Sequence, residues 1–180
     1  PDSGRWQEAI FRRLFDLGLA SGEALVIEDA ATGAVIGSSR YDRSRAADGE
    51  IEIGGTCLAR DRWGGTVNAA VKRLMIAHAV SVFDRVIFVI GENNVRSRRA
   101  LEKIGGTLMP RHLDVLIEGR PSRHVIYAID RAAFESGPLA RSHVWRPYTQ
   151  MKTAAAPPEA GATDGVRLHR GEGRVLIDGI

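Results

Sequence analysis

The spacing of hydrophobic positions divides residues 5–130 into alternating helical and extended segments. Residues 5–19 repeat apolar side chains at three- and four-residue intervals, which predicts an amphipathic helix. Two short apolar runs on either side of Ala31-Thr32-Gly33 predict a β-hairpin, and residues 51–59 predict a third strand. The apolar stripe of the first helix consists of Trp6, Ile10, Phe11, Leu14 and Leu17.

The chain then passes through the turn Arg62-Trp63-Gly64-Gly65-Thr66 into a second amphipathic helix. Residues 85–90 form a continuous β-rich apolar run, which predicts a strand buried on both faces. Asn94 is placed to cap a helix over residues 95–104, and residues 108–117 and 123–130 predict a final hairpin. The predicted inner face of the second helix carries Val67, Val71, Leu74, Met75, His78 and Val82.

The order helix, β, β, β, helix, β, helix, β, β predicts an α/β (α+β) domain with a mixed, largely antiparallel sheet flanked by helices. The glycine turn at residues 62–66 is its candidate binding feature. The first amides of a helix lack intrahelical partners, and the helix dipole favours an anion there. A phosphate-bearing cofactor is therefore one interpretation of this turn, and a tight connection without a ligand is the other.

Composition limits the classes of protein that the chain can belong to. It has 180 residues, of which 44% are hydrophobic, enough for one folded domain with an appendage. Its arginines give a pI near 9.4, but they alternate with carboxylates, which is typical of an ordinary solvated surface. No apolar run approaches the ~20 residues that span a bilayer, and no signal peptide is recognisable. We therefore expect a cytoplasmic protein that binds no membrane, and nucleic acid is a disfavoured partner.

The cysteine and histidine content argues against disulfides and metal. The single cysteine, Cys57, excludes an intrachain disulfide and a multi-cysteine zinc site. The five histidines have no metal-ligand spacing, and His78 is interpreted as a hydrogen-bonded core residue. No metal is expected.

Four motifs resemble the GNAT superfamily of acetyl-CoA-dependent N-acetyltransferases, in particular its RimL/RimJ-like branch. They are EIGGTCLA, RDRWGGTVN, ENNVRSRRALEKIGG and the closing hairpin that ends in VIYAI. The resemblance covers about residues 1–135 and implies a GNAT-like domain that lacks the family's first strand and helix before Pro1. Thr66 departs from the family pattern, since a glycine usually occupies that position.

The resemblance implies that acetyl-CoA is the acetyl donor and an amine the acceptor. Backbone amides near Cys57 and Leu58 would polarise the acetyl carbonyl, and the backbone from Leu58 to Arg60 would pair with the pantetheine arm. Asn94 and Ser97 would meet the same arm. The implied cofactor-binding set is Cys57, Leu58, Ala59, Arg60, Arg62, Trp63, Gly64, Gly65, Thr66, Val67, Asn68, Asn94 and Ser97.

Catalytic roles follow from the same resemblance. Glu52 lies eleven residues before Trp63, where many GNAT enzymes carry a general base, and burial on a strand would raise its pKa. Glu50, on the same strand face, is the alternative, and Glu52 could equally be an ion-pair member. Ser97 is the candidate general acid, or else a residue of the capped first helical turn. Cys57 is interpreted as a small buried cysteine and not as a nucleophile.

After Phe134 the sequence changes character, and Ser136-Gly137-Pro138 marks a predicted boundary. Residues 154–165 are rich in proline and alanine, and residues 167–179 predict a small hairpin. The string HVWRPYTQM with this hairpin resembles the start of a DAPA aminotransferase, a PLP enzyme of biotin synthesis. The resemblance implies a substrate-pocket role for Tyr148, and PLP would bind only in a downstream domain. Residues 136–180 are thus predicted to be a linker and a truncated aminotransferase-like start.

Three functions remain open at this point. The first is an N-acetyltransferase acting by direct transfer, on a protein N-terminus or a small amine. The second is a CoA-binding or interaction module fused to a biotin-pathway enzyme, which Thr66 and the tail favour. The third, nucleic-acid binding, rests on arginine content alone and ranks last.

Overall fold

The computed structural model describes residues 7–20, 22–117, 119–140 and 166–170. The predicted order of helices and strands is confirmed, and a short helix and a further strand follow it. The elements are α1 (Glu8–Ala20), β1 (Ala24–Asp29), β2 (Val35–Asp42), β3 (Glu50–Leu58), α2 (Val67–Val82), β4 (Arg85–Gly91), α3 (Val95–Lys103), β5 (Thr107–Ile117), β6 (Arg120–Asp130), α4 (Arg131–Ser136) and β7 (Val166–Arg170). A 3₁₀ turn at Arg60–Arg62 precedes α2.

The seven strands form one mixed sheet in the order β5-β6-β4-β3-β2-β1-β7. Its neighbouring strands are antiparallel, except that β3 and β4 run parallel. Parallel neighbours need a crossover connection, and α2 supplies it. The predicted mixed, largely antiparallel sheet is therefore confirmed.

The parallel pair in the middle of the sheet separates soon after it begins. Pairing between β3 and β4 runs from Glu50↔Arg85 to Glu52↔Ile87 and does not continue in the described residues. Beyond that point β3 stays with β2 as far as Leu58, and β4 stays with β6 as far as Gly91. A register shift opposite Ser38 to Arg40 marks a bulge in β3, where Gly55 has a φ of 60°. The two strands thus open a gap in the sheet.

The hydrophobic core lies on the face of the sheet that α2 covers. Alternation along β3 directs Ile51 and Ile53 into this core and Glu50 and Glu52 to the opposite face. The core also includes Val71, Met75 and Ile76 of α2, Val86 and Phe88 of β4, Leu101 of α3, Tyr127 of β6, and Leu139.

Two predicted apolar stripes are only partly buried. Val82 was predicted on the inner face of α2 but is 70% exposed, because the chain leaves the helix there and Phe83 packs on the core instead. Phe11 of α1 is 61% exposed and stacks on Phe15, because the described residues bring no layer over that face of the helix. Amphipathic spacing gave both helices correctly, but it did not tell which stripes find a partner.

The last strand brings a distant segment into the domain. Strand β7 pairs antiparallel with β1, in the register Leu25↔Arg170 to Asp29↔Val166. Val166 and Leu168 are buried in the main hydrophobic core. This strand matches the first arm of the hairpin predicted for residues 167–179, but its described partner is β1 of the main sheet. The second arm and Tyr148 lie outside the described residues.

Candidate active site

The gap between β3 and β4 leads directly into the glycine turn. The indole Nε1 of Trp63 donates a hydrogen bond to the Leu58 carbonyl, 2.9 Å away, and so folds the turn back on the end of β3. Gly64 has a φ of 77°, a conformation that favours glycine. A Cβ added at Gly64 or Gly65 would meet no atom within 4 Å, so the turn borders open space.

The two helices that start near this gap differ in how their first amides are satisfied. Thr66, the N-cap of α2, makes no side-chain capping hydrogen bond. At the N-terminus of α3, the Asn94 carboxamide oxygen accepts from the Ser97 amide at 3.2 Å, which confirms the predicted cap. The first turn of α2 therefore keeps its amides free of a side-chain cap and suits an anion better.

The start of α3 lies against the same turn. The Arg96 guanidinium sits 4.8 Å from the centroid of the Trp63 ring, a cation–π distance. This contact joins the first turn of α3, which Asn94 caps and which carries Ser97, to the turn at Trp63. The structure therefore gathers the end of β3, the turn and the two helix starts around one gap.

Two of the predicted cofactor contacts have other surroundings than expected. Arg62 forms an ion pair with Asp29 at 3.0 Å, so part of its charge is already engaged at the β1–β2 turn. Cys57 is exposed, and the prediction of a small buried cysteine is wrong. The reason is that Cys57 lies on the strand face away from Thr56, where nothing described covers the end of β3.

Glu52 is the most buried charged residue described and lies next to the bulge. Its side chain is 1% exposed, and both carboxylate oxygens accept hydrogen bonds from Arg45, at 2.9 Å and 2.6 Å. Burial raises the pKa of Glu52, and the Arg45 guanidinium works against that rise. A Cβ at Gly54 would lie 2.9 Å from the carboxylate, so glycine leaves room for it. Glu52 is thus both the predicted ion-pair member and a carboxylate of raised pKa.

Glu50, the alternative base, is tied into a network of arginines. Its carboxylate pairs with Arg111 from β5, lies 3.9 Å from Arg85, and accepts from the Ala47 amide at 3.2 Å. This carboxylate therefore has three partners that fix its position. Glu50 thus has partners from more parts of the chain than the Arg45 pairing of Glu52, and it remains the second choice as a base.

Lys72 is a candidate that the sequence analysis did not single out. It lies on α2, is 7% exposed, and donates a hydrogen bond to the Thr56 hydroxyl at 2.7 Å. Burial lowers its pKa from 10.5 to about 7. The signal was available, because a lysine stands inside the apolar stripe between Val71 and Met75.

The described residues contain no group of three or more His, Cys, Asp and Glu side chains that could hold a metal ion. No helix in the described part of the chain is long and apolar enough to cross a membrane.

Comparison with known proteins identifies the family. The profile of the acetyltransferase (GNAT) domain matches residues 3–107, and the chain belongs to this family. It therefore carries an acetyltransferase domain. No curated protein matches the sequence.

Solved structures share the fold at low sequence identity. A GCN5-related N-acetyltransferase from Brucella melitensis is 20% identical, with a TM-score of 0.64 over 89% of this chain and 70% of that one. A GNAT-family protein from Chromobacterium violaceum is 17% identical, with a TM-score of 0.64 over 76% and 69%. Mycobacterium smegmatis RimJ, solved in complex with CoA-disulfide, is 20% identical, with a TM-score of 0.58 over 76% and 68%. None of these relationships bears on the predicted aminotransferase-like tail, which stays a prediction.

Proposed function

We propose that this protein is an acetyl-CoA-dependent N-acetyltransferase that transfers acetyl directly to an amine, on a protein N-terminus or a small molecule. The observation that carries the proposal is the gap between β3 and β4, which continues into an open glycine turn and an uncapped helix start. An extended arm with a phosphate group at one end fits such a site, because unpaired strand backbone meets the arm and helix amides meet the phosphate.

The cofactor site would use backbone more than side chains. The amides of Gly64, Gly65, Thr66, Val67 and Asn68 would receive the pyrophosphate, with Arg60 and Arg62 nearby. The backbone of Leu58, Ala59 and Arg60 would pair with the pantetheine arm, and Asn94 and Ser97 would approach it from α3. The amides of Cys57 and Leu58 would polarise the acetyl carbonyl. The CoA-disulfide held by the mycobacterial relative supports this class of cofactor.

Acetyl-CoA supplies an activated acyl group, and the chain supplies the proton transfers. Glu52 is the proposed base, since its burial beside the bulge raises its proton affinity. Arg45 keeps the carboxylate ionised and in place until an amine arrives. Ser97, in the first turn of α3, is the acid that the family resemblance implies.

The cofactor site can be tested by placing a charge on the turn. Gly65 has an ordinary backbone conformation and open space beyond its Cα, so Gly65→Asp should fold normally. The new carboxylate would repel the pyrophosphate, and we expect acetyl-CoA affinity to fall at least about tenfold in calorimetry. Gly65→Asn is the matched control, because it has the same shape without the charge. Equal affinities for the two variants would contradict the proposed phosphate seat.

The base can be tested separately from binding. Glu52→Gln should lower turnover by about 10²–10³-fold near neutral pH and leave acetyl-CoA affinity nearly unchanged. Thiol release in the presence of an amine panel measures turnover, and calorimetry measures affinity. Unchanged turnover would move the base to Glu50 or to water. Tight CoA binding with no acetylated amine would favour a binding module over an enzyme.

A further inference from the structure

Lys72 lies where β3 and β4 come apart. Its ammonium nitrogen donates to the hydroxyl of Thr56 on β3, at 2.7 Å, and sits 5.3 Å from the centre of the Phe88 ring on β4. Both contacts lie beyond Glu52↔Ile87, the last paired residues of the two strands. One side chain of α2 therefore reaches both sides of the gap.

Lys72 has polar neighbours on the β3 side, where Thr56 lies, and an aromatic ring on the β4 side. Thr56 and Ser39 share a hydroxyl–hydroxyl hydrogen bond of 2.8 Å, and Ser39 donates to the Gly54 carbonyl at 3.3 Å. Lysine, threonine and serine thus form a chain of donors that ends on the backbone of the bulge. Among the described residues, no carboxylate forms an ion pair with Lys72, and Phe88 is apolar.

A lysine in this position is a poor choice for packing alone. A buried ammonium with no counter-ion costs free energy, whereas methionine or leucine would fill the same space without that cost. A charge retained at such a cost is typical of a functional site. The proposed position of the acetyl carbonyl, on the amides of Cys57 and Leu58, is adjacent to Thr56 in β3.

We propose that Lys72 is the general acid that protonates the departing thiolate of CoA, in place of Ser97. This inference rests on the proposed acetyl transfer. The acceptor nitrogen bonds to the acetyl carbon and loses its proton to Glu52 or water. The carbon–sulfur bond then breaks, sulfur keeps the electron pair, and the ammonium of Lys72 gives it a proton. The neutral amine regains a proton from solvent after CoA leaves.

The acidities of the two groups agree with this direction of transfer. A free thiol has a pKa of ~8.5, and burial lowers the pKa of Lys72 to about 7, so the proton moves from the ammonium to the more basic thiolate. A serine hydroxyl is a much weaker acid than a thiol, so transfer of its proton to the thiolate would be energetically unfavourable. The ammonium also stabilises negative charge on sulfur before transfer, because Lys72 is only 7% exposed and water screens its charge little.

The first experiment varies the leaving group. Lys72→Met should slow transfer from acetyl-CoA by about 10²–10³-fold. It should slow transfer from the acetyl selenoester of CoA by less than about tenfold, because a selenolate leaves without needing a proton. Equal losses with both donors would overturn the proposal, since a merely structural defect affects the two alike. Lys103→Met, at an exposed lysine of α3, should leave both rates unchanged.

The second experiment needs no turnover. The thiolate of bound CoA absorbs in the ultraviolet, and we expect it to appear at lower pH in the wild-type complex than in the Lys72→Met complex. An identical titration in both would overturn the proposal. Thr56→Val is a second variant that keeps Lys72 but removes its hydroxyl partner, and it should give an intermediate titration.

Two further results separate this inference from the proposed function. A wild-type protein that binds CoA but acetylates no amine would defeat the proposed function, and the thiolate titration would still test Lys72. Intact-mass measurement after incubation with acetyl-CoA should show an unmodified Lys72. An acetyl group on Lys72 would overturn the proposal, because an amide nitrogen cannot act as the acid.

Discussion

The two faces of β3 hold buried charges in opposite ways. On one face Glu52 is 1% exposed, and both of its oxygens accept hydrogen bonds from Arg45. On the other face Lys72 of α2 is 7% exposed, with a hydroxyl and an aromatic ring as its contacts. One charge has a counter-ion, and the other has none among the described residues.

The two faces differ in how much of the cost of burying a charge is offset by a partner. Burial favours the neutral form of both groups, so it raises the pKa of Glu52 and lowers that of Lys72. Arg45 offsets the desolvation of Glu52, whereas a hydroxyl offsets little of the desolvation of Lys72. The face under α2 therefore carries the larger uncompensated cost, and Lys72 on that face contacts both of the strands that border the gap.

The largest expected effect comes from removing the unpaired charge. Lys72→Met should raise the free energy of unfolding at pH 7 by about 3 kcal/mol, since the lowered pKa is a penalty of several kcal/mol and the lost Thr56 hydrogen bond offsets about 1 kcal/mol. Urea unfolding at several pH values measures this difference.

The pH dependence of that gain has a definite sign. The folded-state pKa of Lys72 is about 7 and its unfolded value 10.5, so the unfolded chain binds more protons between these values. Wild-type stability should therefore rise through this window, and the advantage of Lys72→Met should shrink towards zero near its upper end. If Lys72→Met stabilised the protein equally at all pH values, the lowered pKa of Lys72 would be contradicted.

The next effect tests how far the α2 face depends on apolar burial. Leu168 of β7 is buried in the same core as α2, so Leu168→Ala should lower the free energy of unfolding by about 2–3 kcal/mol. Val35→Ala, at an exposed position of β2, is the control and should change it by less than about 0.5 kcal/mol. Equal, small losses in thermal unfolding would mean that β7 does not stabilise the sheet.

A smaller effect on stability is expected on the face of β3 that carries the Glu52–Arg45 ion pair. Glu52→Gln leaves the one-third exposed Arg45 without its carboxylate, but the raised pKa of Glu52 means that a neutral side chain is favoured there, so the cost should be only about 1 kcal/mol at neutral pH. The double variant with Arg45→Met should recover part of this loss, and a double-mutant cycle in urea measures the coupling. Additive losses would mean that the two side chains are not energetically paired.

The contribution of Glu52 to stability should change with pH in the opposite direction to that of Lys72. The folded-state pKa of Glu52 lies above its unfolded value of 4.5, so the folded protein binds the extra proton. Wild-type stability should therefore decline as pH rises through this window, and Glu52→Gln should lack that decline.

The smallest expected effect separates the two helix starts. Asn94→Ala removes the cap of α3 and should cost about 1 kcal/mol, whereas Asn94→Asp should preserve the cap. Thr66→Ala should cost clearly less, because Thr66 makes no side-chain capping bond. Thermal unfolding of the three variants compares them, and a larger loss at Thr66 would contradict the view that α2 begins uncapped.

Local signals in the sequence were sufficient for much of this protein. Apolar periodicity gave the order of elements from α1 to β6, and Asn94 marked the start of α3. These features depend on neighbours three or four residues apart, so the sequence contains all the information they need. The family motifs pointed to the same turn and helix starts that the structure brings together.

Other features required the tertiary structure. Lys72 became a candidate only when α2 was placed over the gap, and Glu52 acquired its partner only when Arg45 folded back beside it. Strand β7 joins the sheet next to β1, more than a hundred residues away in sequence. Contacts between distant segments decide which apolar stripe is buried, which charge is paired and where two strands separate. Periodicity along one segment carries no information about the segment that it will pack against.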